Sequence, residues 1–81
     1  MNVLLSQRAI EDLAAAPPAV QKAYIKQMNL LARNLMHPSL RAKKYEDAAD
    51  RWQARVNQDW RFYFTVIPGG YHVTAIIPHP K

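Results

Sequence analysis

The sequence predicts an α+β domain in which two N-terminal helices pack on a small antiparallel sheet, in the order β-α-α-β-β-β. Apolar residues recur every three or four positions in the first half of the chain and every second position from Arg51 onward. The first spacing is typical of helices and the second of strands. A length of 81 residues suits one domain with a modest core, so we interpret residues 1–81 as a single domain.

The first half begins with the apolar run NVLL, which suits a short strand. Ser6 then offers an N-cap hydroxyl for a helix through QRAIEDLAAA. Pro17 and Pro18 end this helix and begin the next, because the first helical turn does not need the N–H that proline lacks. Pro38 disfavours the helical conformation at His37 and ends the second helix there. The apolar stripe of this helix consists of Val20, Tyr24, Met28, Leu31 and Leu35.

The stretch RWQARVNQDWRFYF, residues 51–64, predicts a β-hairpin, because apolar residues alternate with arginines and polar residues on both sides of a polar break. The break decides the register, since a slip of one residue moves every side chain to the other face. A two-residue turn would mix the faces, whereas a three-residue turn over 57–59 pairs Ala54 with Phe62 and Arg55 with Arg61. Only the second register keeps one face apolar.

A second hairpin is predicted at Gly69 and Gly70, since glycine supplies the positive φ angles of tight turns. With these two residues as the loop, Ala75 would lie opposite Phe64, and Val73 and Ile77 would extend the same apolar face. The predicted core contains Val20, Leu31, Trp52, Phe62 and Phe64.

The chain carries a formal charge of +5, and its charges are unevenly spread. No acidic residue lies between Leu13 and Tyr45, and such a cationic surface favours a polyanion or an acidic protein as partner, although a solvated helix face followed by a basic loop would look the same. The cations in this interval are Lys22, Lys26, Arg33, Arg41, Lys43 and Lys44.

Composition excludes several classes of protein. The chain has no cysteine, which excludes a disulfide framework and a cysteine metal site. No stretch approaches the roughly 20 apolar residues of a membrane span, and the N-terminal residues lack the basic and apolar regions of a signal peptide. We therefore expect a cytoplasmic protein that does not contact a membrane.

The polar face of the predicted sheet carries Arg55 and Arg61 as cross-strand neighbours, beside Gln53 and Tyr63. Like charges directly opposite one another are destabilising, which suggests a bound anion between the arginines. In the alternative interpretation an acidic residue of the preceding loop neutralises them, the candidates being Glu46, Asp47 and Asp50.

The segment HPSLRAKKYEDAADRWQARVNQDWRFYF, followed by a short hairpin and a late histidine, resembles the RelE/ParE superfamily of bacterial toxins. The most specific part is W-x-x-R-V at 52–56, spaced before D-W-R-F at 59–62. Lys43 and Lys44 match a basic pair that often stands before a Leu and a Gly in relatives, where this chain has Tyr45 and Asp47. The similarity covers nearly the whole chain, and the order of elements agrees.

This resemblance implies a RelE/ParE-like fold and a type II toxin that cuts mRNA in the ribosomal A site and is neutralised by a cognate antitoxin. The RNA 2′-hydroxyl would attack the adjacent phosphate, so neither a metal nor another cofactor is expected. Arg55 and Arg61 would bind the phosphate, since guanidinium groups grip two oxygens at once. Lys43 or Lys44, crowded by other cations, would act as base, and His79 as acid or base. The expected RNA-binding residues are Arg41, Lys43, Lys44, Gln53 and Tyr63.

Three other functions stay open at this stage. A ParE-like member of the same superfamily would inhibit DNA gyrase by binding alone. An inactive relative would keep the fold and bind only RNA or an antitoxin. A plain RNA-binding domain would also combine basic residues with Tyr and Trp.

Overall fold

The computed structural model describes residues 1–79, in which seven regular elements form one sheet and two helices. A 3-10 turn, Pro38–Leu40, lies between the second helix and the second strand. The predicted α+β class and the predicted order of elements are confirmed, with one strand added. The elements are β1 (Asn2–Leu5), α1 (Gln7–Ala15), α2 (Pro18–Arg33), β2 (Lys43–Glu46), β3 (Arg51–Arg55), β4 (Trp60–Ile67) and β5 (Gly70–Pro78).

The five strands lie in the order β1-β5-β4-β3-β2. The sheet is mixed, because β1 pairs with β5 in parallel while the other three pairs are antiparallel. The parallel pairing brings the backbones of Asn2 and Gly70 so close that a Cβ at Gly70 would collide with the carbonyl oxygen of Asn2. This contact explains why glycine stands at the start of β5.

Both helices begin where the sequence predicts. The Ser6 hydroxyl accepts a hydrogen bond from the Ala9 N–H at 3.0 Å and caps α1. The predicted end of α2 at His37 is wrong, because the helix ends at Arg33 and Asn34 has extended backbone. The Asn34 side chain accepts from the Met36 N–H at 3.0 Å, a local bond that competes with further helix.

The first predicted hairpin is confirmed residue by residue. Ala54 pairs with Phe62 and Arg55 with Arg61, and the Val56 N–H donates to the Trp60 carbonyl at 3.0 Å. The apolar alternation was sufficient to define this register, since one face is buried.

The predicted register of the second hairpin is wrong. Ile67 pairs with Gly70, so the turn is Pro68-Gly69, with proline followed by a glycine at φ +77° as in type II turns. Phe64 pairs with Val73, and a bulge at Thr74 then shifts the phase of β5. Val73 and Ile76 therefore face the core.

Ala75 and Ile77, predicted on the apolar face, pair instead with Tyr63 and Arg61 on the other side of the sheet. The bulge is held from two directions, because the Thr74 hydroxyl donates to the Tyr63 carbonyl and the Thr74 carbonyl accepts from the Ser6 hydroxyl. Beyond it, the Ile76 N–H donates to the Asp12 carboxylate of α1 at 3.0 Å.

The alternative interpretation of a basic loop after the helix is wrong for Lys43 and Lys44, because both residues belong to β2. All four residues of β2 are exposed, so the strand lacks the alternation by which strands are recognised. Charged residues on an edge strand discourage pairing with other chains.

The core lies between the helices and one face of the sheet. Val20, Leu31, Phe62 and Phe64 are buried as predicted, and Trp52 packs against them. Tyr24 is fully buried and meets the Phe62 ring edge-to-face at 5.4 Å. Neither helix within residues 1–79 is long and apolar enough to cross a membrane.

Candidate functional site

The sheet face opposite the core, which we call the outer face, carries the candidate site at the end near the β3–β4 turn. There an open pocket of about 250 Å³ gathers six of the eight residues singled out from the sequence. We call it the arginine pocket. Its lining residues are Arg41, Lys43, Gln53, Arg55, Arg61 and His79.

Register places four strands side by side at this pocket. The cross-strand pair of Arg55 and Arg61 lies beside Ile77 of β5, and Lys43 of β2 pairs with Gln53. The His79 N–H donates to the Asp59 carbonyl at 2.7 Å, which holds this residue against the β3–β4 turn. Residues from three distant parts of the sequence therefore meet at one end of the outer face.

Arg61 is anchored to its own turn. Its Nη1 donates to the carbonyl oxygens of Asn57, Trp60 and Gln58 at 2.7, 2.9 and 3.2 Å. Partial burial, and then the charge of Arg55, lower the pKa of the Arg61 guanidinium from its ordinary value. Arginine nevertheless stays protonated in proteins, so the pocket holds two crowded positive charges.

Arg55 is fixed mainly through its backbone. The buried side chain of Gln27 on α2 donates from Nε2 to the Arg55 carbonyl at 2.9 Å and to the Ser39 carbonyl at 3.0 Å. Within residues 1–79 the Arg55 Nε is buried and has no hydrogen-bond partner. An unpaired buried donor is costly, so an acceptor reaching this nitrogen would be favoured.

Arg41 follows the 3-10 turn in a left-handed conformation with φ 46°. This conformation is uncommon for a residue other than glycine, asparagine or aspartate. It directs the chain from the 3-10 turn into β2, and Arg41 lines the pocket beside Lys43.

Of the three acidic residues considered as neutralising partners, two pair with other cations, and Asp47 forms no ion pair among residues 1–79. Glu46 contacts Arg51 at 3.5 Å and Asp50 contacts Lys44 at 3.0 Å. Among residues 1–79, the ion pairs include none of the four cations that line the arginine pocket. The pocket is therefore a concentrated positive site without an internal carboxylate partner in the described part of the chain.

Lys44 lies apart from the pocket. It pairs with Trp52, on the sheet face that also carries the core, and its Nζ lies 5.6 Å from the Trp52 ring centre. Hydrogen bonds from Lys44 and from the Trp52 indole lower the pKa of the Asp50 carboxyl. The two lysines that are equivalent in the sequence motif thus have different surroundings.

Tyr63 lies on the outer face but beyond the arginine pocket. It meets Tyr45 of β2 edge-to-face, with ring centres 5.6 Å apart. Both rings line a second cavity of about 350 Å³, which we call the tyrosine trough. Its lining includes Arg8, Tyr45, Arg51, Tyr63, Thr65 and Ala75.

Sequence reasoning missed Gln27, Arg8 and Tyr45. Gln27 had a signal, because it lies three residues after Tyr24 and four before Leu31, where the helical stripe predicts an apolar residue. Arg8 and Tyr45 had none, since Arg8 lines the trough through the packing of α1 against β5, and Tyr45 through the pairing of β2 with β3.

No family model matches the sequence, and no curated protein matches it. Solved structures do match the fold. A YoeB/ParE toxin from Agrobacterium tumefaciens superposes with a TM-score of 0.82 at 14% identity, covering 99% of this chain and 100% of that one. The chain has the RelE/ParE toxin fold.

Two further similar structures extend over most of the chain. The YoeB dimer from Staphylococcus aureus has a TM-score of 0.81 at 18% identity, covering 99% of this chain and 98% of that chain. A chain of the archaeal RelE-RelB complex from Pyrococcus horikoshii matches with a TM-score of 0.79 at 17% identity. The match covers 95% of this RelE/ParE-like chain and 92% of that chain.

Proposed function

We propose that this protein is the toxin of a type II toxin-antitoxin pair and cuts mRNA in the ribosomal A site, as a cytoplasmic protein. The observation that carries the proposal is the arginine pocket, where Arg41, Lys43, Arg55 and Arg61 converge with His79 and no acidic residue among 1–79 pairs with them. The RelE/ParE fold supports the same function, since one of the similar structures is a YoeB/ParE toxin, another is a YoeB dimer and a third is a RelE-RelB complex.

The reaction proceeds at a phosphate bound between Arg55 and Arg61. The 2′-oxygen attacks phosphorus, forming the 2′-O–P bond while the P–O5′ bond breaks. The products are a 2′,3′-cyclic phosphate and a free 5′-hydroxyl. The two guanidinium groups stabilise the negative charge that grows on the phosphoryl oxygens.

His79 and Lys43 transfer the protons. One of these two side chains accepts the proton of the 2′-hydroxyl as general base, and the other delivers a proton to the departing 5′-oxygen as general acid. Gln53 and Arg41, at the rim of the same pocket, hold the sugar-phosphate backbone.

The test is expression of the chain without an antitoxin, followed by growth measurement and primer extension on translated mRNA. The wild type is expected to arrest growth and to cut mRNA, and Arg55→Ala should lower cleavage by about 10² to 10³. Arg61→Lys should retain part of the activity, because lysine cannot grip two oxygens in a fork.

Lys43 and Lys44 provide a matched comparison, since they are adjacent and carry the same charge. Lys43→Ala should impair cleavage, whereas Lys44→Ala should leave it near the wild-type level because Lys44 lies on the other face. Absence of both growth arrest and cuts would overturn the nuclease function. Growth arrest with intact mRNA and altered DNA supercoiling would instead indicate gyrase inhibition.

A further inference from the structure

We infer that the tyrosine trough binds the base of the nucleotide that adjoins the phosphate in the arginine pocket. This inference rests on the proposed function, since it extends the RNA beyond the reacting phosphate. It assigns a role in recognition to Tyr45, Tyr63 and Arg8.

The position of the trough supports this assignment. Tyr63 is two residues from Arg61 on β4, and both side chains lie on the outer face. Two residues of strand span about 7 Å. The base of a nucleotide reaches that far from its phosphate, so a phosphate between Arg55 and Arg61 places a neighbouring base over Tyr63.

The shape of the trough suits a flat, partly polar ligand. The rings of Tyr45 and Tyr63 are nearly perpendicular, at 88°, and form a corner in which a base can stack on one ring and meet the other with its edge. The small side chain of Ala75 takes up little of the trough, and the Thr65 hydroxyl offers hydrogen bonds to the base edge.

Charge at the margins also favours RNA. Arg8 of α1 and Arg51 of β3 line the trough, and each has a single carboxylate contact, to Asp12 at 3.6 Å and to Glu46 at 3.5 Å. A guanidinium has five N–H donors, so both arginines keep donors for a base or a phosphate. Unpaired RNA bases are commonly held by aromatic stacking together with such donors.

The experiment uses fluorescence anisotropy to measure the affinity of the protein for two 2′-O-methyl oligoribonucleotides, which cannot be cleaved. The two oligomers have the same length and the same number of phosphates, but one of them is abasic. The wild type should bind the oligomer with bases about tenfold more tightly, the expected size for one stacked base. Tyr63→Ala should reduce this preference to within about twofold, and Tyr63→Phe should retain it because the ring remains.

Val66→Ala is the matched control, since Val66 is exposed on the same strand but belongs to the opposite face. It should change neither affinity, and thermal melting should show that every variant is folded. Equal binding of both oligomers by the wild type, or an equal loss of both in Tyr63→Ala, would overturn the inference alone. Failure of the wild type to bind either oligomer would overturn the proposed RNA function as well.

Discussion

Individual side chains in the arginine pocket are constrained before any ligand arrives. The Nη1 group of Arg61 donates hydrogen bonds to three carbonyl oxygens of the β3–β4 turn, and these bonds fix the orientation of the guanidinium plane. Its other guanidinium nitrogens, Nε and Nη2, donate no hydrogen bond within residues 1–79. The turn therefore orients the guanidinium and leaves its other donors for the phosphate that the proposed function places in the pocket.

Arg41 is the residue at which stability and function are expected to conflict. Its left-handed backbone costs about 1–2 kcal/mol for a side chain with a Cβ. Arg41→Gly and Arg41→Ala both remove the guanidinium, but only glycine relieves the strain. In urea, the free energy of unfolding of the glycine variant should be about 1 kcal/mol higher than that of the alanine variant. Both variants should bind RNA equally weakly.

The outcome that would contradict this explanation is a glycine variant no more stable than the alanine variant. A glycine variant that binds RNA as well as the wild type would show that the Arg41 guanidinium has no part in binding.

Tyr24 carries a buried hydroxyl without a hydrogen-bond partner in residues 1–79. Leaving such a group unsatisfied costs about 1–3 kcal/mol, so Tyr24→Phe should maintain or raise the melting temperature. Tyr24→Ala, which empties the space beside Phe62, should instead cost about 3–5 kcal/mol, the range for buried aromatic residues.

Burial raises the pKa of Tyr24 above its ordinary value of 10.0, which predicts a specific pH dependence. The unfolded chain releases this proton near pH 10.0 while the folded chain keeps it, so stability is complete below that pH and falls as the pH rises beyond it. Urea unfolding between about pH 9 and 11 should show a smaller loss for Tyr24→Phe than for the wild type. Parallel losses would contradict this contribution.

The elements differ in how much of them the sequence could predict. The β3–β4 hairpin was predictable because Ala54 and Phe62 are buried, and one slipped residue would have exposed them. The faces on which the residues of β5 lie were not predictable, because the Thr74 bulge is a single extra residue that no feature of the amino-acid composition indicates. The edge strand β2 escaped detection because its residues alternate neither in polarity nor in burial.

The candidate site was predictable to the same extent as its strands. The hairpin register alone predicts that Arg55, Arg61 and Gln53 share one face of the sheet. That Lys43 and Lys44 lie on different faces is known only from the pairing of β2 with β3. The tyrosine trough needed both β2 and the bulge, and no local pattern in the sequence indicates either of them.

Gln27 connects α2 to the two segments that carry Arg41 and Arg55, and its replacement should loosen the pocket from a distance. Gln27→Leu leaves the Ser39 and Arg55 carbonyls without their donor, at a cost of about 1–3 kcal/mol for each one that stays buried. We expect a lower melting temperature and weaker RNA binding in the folded protein.

Gln21→Leu on the same helix is the control for this substitution. The Gln21 side chain donates to the Leu13 carbonyl at 2.9 Å, far from the arginine pocket, so this variant should lose some stability and no RNA affinity. Equal RNA affinity in the Gln27 and Gln21 variants would argue against any positioning role for Gln27.

At the scale of the whole molecule, the fold distributes the charged residues behind the formal charge of +5 unevenly over the surface. The ion pairs among residues 1–79 use Arg8, Lys44 and Arg51, while the cations of the arginine pocket take no part in them. Four cations without an ion-pair partner among residues 1–79 therefore lie together at one end of the outer face, where their positive potential can guide a polyanion to the pocket.

The salt dependence of RNA binding should report on this concentration of charge. Each phosphate neutralised on a single strand contributes about 0.7 to the slope of log affinity against log salt, so four cations predict a slope of up to about 3. Affinity should then fall by up to about 50-fold between roughly 50 and 200 mM salt, measured by anisotropy with an uncleavable oligomer.

Single lysine substitutions locate the charges responsible for this slope. Lys43→Ala should lower it by about 0.7, since one phosphate contact is lost, while Lys44→Ala should leave it unchanged because Lys44 remains paired with Asp50 on the other face. Lys22→Ala, on the exposed side of α2, removes the same formal charge far from the pocket and should also have no effect. If all three substitutions lower the slope equally, RNA responds to total charge rather than to the arginine pocket, and the directional explanation is wrong.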